Sequence, residues 1–116
     1  MEDITGEQGR RISQVVNAAR SGNESDVLRA WHAYLEQHVA FPFAAVVREG
    51  SSGPIPASEH VTVVAMVELD EAFGTIVSVK YRLDIYKLPL RDLEVTVASD
   101  ETVQAVGDYE GWMGRR

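Results

Sequence analysis

The chain has 116 residues, 45% hydrophobic and 25% charged, which is enough for one globular domain with its own apolar core. Eighteen acidic against eleven basic residues give a formal charge of −7, the wrong sign for a nucleic-acid backbone or an anionic membrane surface. Cysteine is absent, which excludes disulfides, thiolate metal sites and cysteine nucleophiles at once.

Residues 1–9 are polar, contain Gly6 and Gly9, and lack the basic and apolar regions of a signal peptide, so they are expected to form a flexible terminus on a cytoplasmic protein. The rest, 10–116, reads as a single α+β domain. Over 10–20, Ile12, Val15, Val16 and Ala19 recur at helical spacing, and Ser21-Gly22-Asn23 ends this first helix. A second helix opens at an Asn23 or Ser25 cap, with Glu24 and Asp26 at the positive end of its dipole. Its wide apolar face contains Val27, Leu28, Trp31, Tyr34 and Leu35, and Pro42 restrains Phe41 from helical geometry, so the helix should end near Val39.

The period then changes from helical to alternating. Strands are expected at Phe43–Val47, over 61–67 and 75–83, over 85–90 with Pro89 at an edge or strand end, and at Leu93–Val97. Residues 50–56 form a turn-rich loop, and 68–74 a charged connection closed by Gly74. Ser99 followed by Asp100 and Glu101 marks a closing helix whose inner face holds Val103, Val106 and Tyr109. Four to five short strands at about ten-residue spacing predict a small antiparallel sheet, partly closed and barrel-like, with the N-terminal helices packed on it and a helix at its C-terminal end.

Catalytic patterns are missing. His32 and His38 fall about 240° apart around the second helix, so they cannot share one ion unaided. Ser51 and Ser52 lack the strand–turn–helix setting of a nucleophile elbow, and the Gly50–Gly53 segment lacks a phosphate-loop lysine. The chain is therefore read as non-enzymatic. The carboxylates are the informative group: residues 68–110 hold ten acidic side chains against Lys80, Arg82, Lys87 and Arg91. Most lie in expected turns or at helix ends, where carboxylates and loop carbonyls together suit a hard cation such as Ca²⁺. No segment matches the twelve-residue EF-hand loop. The alternative is a small protein–protein interaction module without metal, using an exposed sheet edge near Pro89 or the 50–56 loop.

Four segments, in order, resemble a known family. Trp31-His32-Ala33-Tyr34-Leu35-Glu36 leading to Phe41-Pro42-Phe43-Ala44-Ala45 is similar to its W-x-x-Y-L and F-P-F-x-A segment. Val61-Thr62-Val63-Val64-Ala65-Met66 resembles a V-x-V-x-x-M strand, and the run from Leu83 to Glu94 resembles a V-P-L-x-x-L-E ending. The tail from Asp100 to Trp112 is similar to a closing helix of the form D-E-x-T-x-x-A-I-x-D-W-x-x-W, with Tyr109 at a tryptophan position. The family is that of the small acidic calcium-binding proteins of the cyanobacterial CcbP type. The resemblance implies a compact Ca²⁺ buffer or storage protein that uses surface carboxylates. It implies metal ligands among Glu68, Asp70 and Glu71 after the second strand, and among Asp100, Glu101 and Asp108 in the terminal segment.

Overall fold

The structure is a computed structural model that describes residues 6–51 and 53–114. Residues 1–5 of the expected flexible terminus, Ser52, Arg115 and Arg116 lie outside the described residues.

Helix α1 spans Glu7–Asn17, earlier than the 10–20 window that periodicity indicates. Its first turn closes on Gly6, whose carbonyl accepts from the Arg10 amide at 3.0 Å, despite the poor helix propensity of Gly9. Tertiary anchoring offsets that propensity: Ile12 and Val15 are buried, and Gln8 reaches the Gly107 carbonyl. Helix α2 (Glu24–His38) begins where Asn23 Oδ1 accepts from the Asp26 amide at 2.9 Å, which identifies Asn23 as the cap. It ends at Val39 in extended geometry, before a cis Phe41–Pro42 bond. Helix α3 (Asp100–Met113) is capped by Ser99, whose Oγ accepts from the Thr102 amide.

Between α2 and α3 run β1 (Phe43–Val47), β2 (His60–Asp70), β3 (Gly74–Tyr81), β4 (Asp84–Pro89) and β5 (Leu93–Val97), with a single 3-10 turn at Leu90–Asp92. The charged connection expected over 68–74 is mostly strand: β2 continues to Asp70 and pairs with Gly74 across a tight hairpin. Strand β2 reaches this length through two bulges, between Val63 and Ala65 and between Met66 and Glu68. Pairing is antiparallel throughout, in the order β4-β3-β2-β1-β5.

The sheet is open. Strands β4 and β5 are its two edges and do not pair with each other, so the expected partial barrel is corrected to an open five-stranded sheet. The physical reason is the helical layer. Phe43, Ala45, Val47, Val61, Val63, Val77, Val79, Leu88 and Leu93 face one side and join a single core with Trp31, Leu35, Val106 and Tyr109. Helices already cover that apolar face, so closure is not needed to bury it. Trp31, fully buried, sits edge-on to Tyr34 and Tyr109 at ring separations of 5.5 and 5.8 Å, beside Trp112 at 5.9 Å. The opposite face, with Thr62, Val64, Lys80, Lys87 and Glu94, is open to solvent.

Candidate functional site

The six carboxylates that the sequence points to occupy three places. Glu68, Asp70 and Glu71 stand at the β2–β3 hairpin. Asp70 Oδ1 accepts from the amides of Ala72 and Phe73 at 2.7 and 2.8 Å, which shapes the turn. Glu71 accepts from Ser25 Oγ at 2.8 Å, fastening the hairpin to the start of α2. Glu68 lies 3.6 Å from Lys87 Nζ, both more than half exposed, a contact of little energetic weight.

Asp100 and Glu101 form the first turn of α3, where the helix dipole favours them. Glu101 meets His38 Nδ1 at 2.8 Å, at the last turn of α2. Glu71 thus touches one end of α2 and Glu101 the other. Ser25 and His38 are separated by about 20 Å along that helix at 1.5 Å per residue. The two acidic groups therefore do not converge on one ion.

Asp108 stands apart from both. It is 1% exposed, and its two oxygens accept from Arg11 Nε and a terminal nitrogen of Arg11 at 2.7 and 3.1 Å. This bidentate pair ties α1 to α3, and the carboxylate beside it holds the Arg11 guanidinium charged above its ordinary range. Among the described residues, no group of three or more histidine, aspartate or glutamate side chains is poised to hold a metal ion.

A second acidic grouping is one that no sequence spacing reveals. An open hollow of about 510 Å³ is lined by Arg48, Glu49, Arg91, Asp92 and Glu110. A neighbouring one, about 550 Å³, shares Arg48 and Glu49 and adds Glu94. Glu110 Oε1 pairs with Arg48 at 2.9 Å, while Oε2 is buried with no hydrogen-bond partner among the described residues. Burial pushes the Glu110 carboxyl above its usual range; Arg48 opposes that shift, and the charge of Glu94 adds to it. Asp92 accepts from Ser51 Oγ at 3.2 Å. Arg91 lies over the Phe73 ring at 5.3 Å. The β1–β5 pairing brings Glu94 opposite Val46, and the course of α3 adds Glu110. Two guanidinium groups stand among these four carboxylates, so the two hollows are only partly compensated.

The histidines form no catalytic set. His32 Nδ1 lies 3.3 Å from Thr75 Oγ1, His38 contacts Glu101, and His60 is exposed at the start of β2. No helix of the described residues is long and apolar enough to cross a membrane.

Comparison with known proteins places this geometry. No curated protein matches the chain. Among solved structures, Anabaena CcbP is similar at 23% identity, with a TM-score of 0.76 over 97% of this chain and 92% of that one. A calcium-binding protein in its calcium-binding form is similar at 22% identity, with a TM-score of 0.74 over 99% and 97% of the two chains. At those identities the likeness establishes the fold: three helices on one open antiparallel sheet. The family model described as calcium binding, CcbP type, matches residues 10–113, nearly the whole described chain. The chain therefore belongs to the CcbP family of calcium-binding proteins, as its motifs indicate.

Proposed function

We propose that this protein binds Ca²⁺ without an EF-hand, as a non-enzymatic cytoplasmic buffer or store. The observation that carries the reading is the family match over residues 10–113. The charge of −7 supports it, and so does the exposure of Glu71, Asp100 and Glu101 at the two ends of α2. The proposed ligands are Glu68, Asp70 and Glu71 at the hairpin and, separately, Asp100 and Glu101 at the start of α3. Asp108 serves the scaffold through Arg11. The chemistry is that of hard oxygen donors: carboxylates and turn carbonyls replace part of the hydration shell of the ion. Because these side chains must be gathered against their own repulsion and lose rotamer freedom, modest affinity is expected. The lack of cysteine is consistent with a reducing compartment.

Calorimetric titration with Ca²⁺ tests this. Dissociation constants weaker than about 10⁻⁵ M are expected, as befits sites without a preformed cage. Replacing the hairpin pair (D70N/E71Q) or the helix pair (D100N/E101Q) should each weaken one phase of the titration by about tenfold, the equivalent of about 1.4 kcal/mol. Heat no greater than that of an unrelated acidic protein of equal charge removes the proposal. Loss of binding in D92N/E110Q, with both other pairs without effect, transfers the ligands to the hollow beside Arg48.

A further inference from the structure

The cations of this acidic chain are unevenly placed. Most of those with a carboxylate partner are on or beside the helices: Arg11 with Asp108, Arg29 with Asp26, His38 with Glu101 and Arg48 with Glu110. On the open sheet face, Lys80, Arg82 and His60 line a shallow hollow of about 420 Å³, and none of the three forms an ion pair among the described residues. Arg82 instead lies over the Tyr81 ring at 5.2 Å. Lys87, beside them on β4, contacts only the exposed Glu68 among the ion pairs.

The same corner carries aliphatic side chains in water. Arg82 and Leu83 make the two-residue turn between β3 and β4, with Arg82 at a φ of +60°, where glycine or asparagine is usual. Leu83 at its tip is 95% exposed and Ile85 is 59% exposed. Strand β4 is a sheet edge, paired among the described residues only with β3, so its outward N–H and C=O groups lack a strand partner there.

We infer that the β4 edge is a docking strand for an extended, acidic and aliphatic segment of a partner protein. Added beside β4, such a segment pairs with the free backbone groups. Its aliphatic side chains cover Ile85 and Leu83, while its carboxylates reach Lys87, Lys80 and Arg82. Charge decides the occupant. A chain of −7 repels an acidic partner over most of its surface. Here Lys80, Arg82 and Lys87 stand against exposed Asp84 and Glu68, and Lys80 and Arg82, without an ion pair among the described residues, orient the approach. The other edge, β5, presents exposed Glu94 and does not suit the same partner. The inference is independent of calcium binding.

Fluorescence anisotropy with a labelled synthetic peptide alternating glutamate and valine tests it. The peptide is expected to bind, less tightly as salt rises, with slowed amide exchange at Ile85 and Lys87. K80E/R82E and, separately, I85D are expected to weaken binding by at least about tenfold. These side chains are exposed, so circular dichroism and melting should match the parent. Absence of binding overturns the inference, as does equal binding of a lysine–valine peptide or unchanged affinity in K80E/R82E. Co-sedimentation with phosphatidylserine vesicles, with the peptide ignored, also overturns it and assigns the corner to a lipid surface.

Discussion

Glu110 holds one carboxylate oxygen against Arg48, and the other is buried without a hydrogen-bond partner among the described residues. Burial is the dominant influence and raises the pKa of this group in the folded chain. The sign follows from linkage. A carboxyl whose folded pKa exceeds its unfolded one binds its proton more tightly when folded. Its stabilising contribution is complete below the ordinary glutamate range, about pH 4, and is lost as pH rises through the elevated folded value. Glu110→Gln keeps the shape and removes the titration. Urea unfolding from about pH 4 to pH 7 should therefore show the variant gaining stability relative to the parent as pH rises. A constant difference, or one of opposite slope, rejects burial as the controlling influence. Asp108 is more buried still, and Arg11 donates to both its oxygens. From the sequence alone it is one more acid in a helix with Asp100 and Glu101; only the position of α1 separates a structural carboxylate from an exposed one.

At the level of elements, the β2–β3 hairpin joins the sheet to the helices. Gly74 has a φ of +78°, and a Cβ there would collide with the Tyr109 hydroxyl and crowd Met113. That hydroxyl accepts from the Thr75 amide at 3.0 Å, inside the core. Gly74→Ala adds left-handed strain to a steric clash in one place, and a loss of about 3 kcal/mol is expected in chemical denaturation. A loss below about 0.5 kcal/mol would mean that the hairpin and α3 are not locked together. The glycine is legible as a turn residue, but its contact with Tyr109, 35 positions later, is not. Where local signals were strong, the expected elements appear: Asn23 and Ser99 cap their helices, β1 and β5 have the expected limits, and the stripe of Val27, Leu28, Trp31 and Leu35 is buried. Where tertiary contacts set the limits, the expectation falls short. Strand β2 extends through Glu68 and Asp70 because Ile76, Thr75 and Gly74 offer partners there.

For the molecule as a whole, the charge of −7 is a standing repulsion that a bound divalent cation relieves. If Ca²⁺ prefers the folded chain, Ca²⁺ at ten times its dissociation constant should add about 1.4 kcal/mol of stability, or about 5 °C in melting temperature for a domain of this size. Mg²⁺ at equal ionic strength should add less, because it requires near-octahedral geometry that scattered turn carboxylates do not supply. Equal shifts from both ions would reduce the effect to general screening. The amino-acid sequence by itself determined the element types, most of the core and the family, because periodicity, caps and short motifs act within a few turns of chain. Val103, expected on the inner face of the last helix, is exposed because Thr102, Ala105, Val106 and Tyr109 take that face, and Ile55 of the 50–56 loop is buried. Only the tertiary structure decided that the sheet stays open, that the two acidic groups lie at opposite ends of α2, that Asp108 belongs to Arg11, and that Glu94 and Glu110 line neighbouring hollows that share Arg48. Those outcomes depend on which distant surfaces pack together, and a side chain's neighbours across the fold leave no mark on its neighbours along the chain.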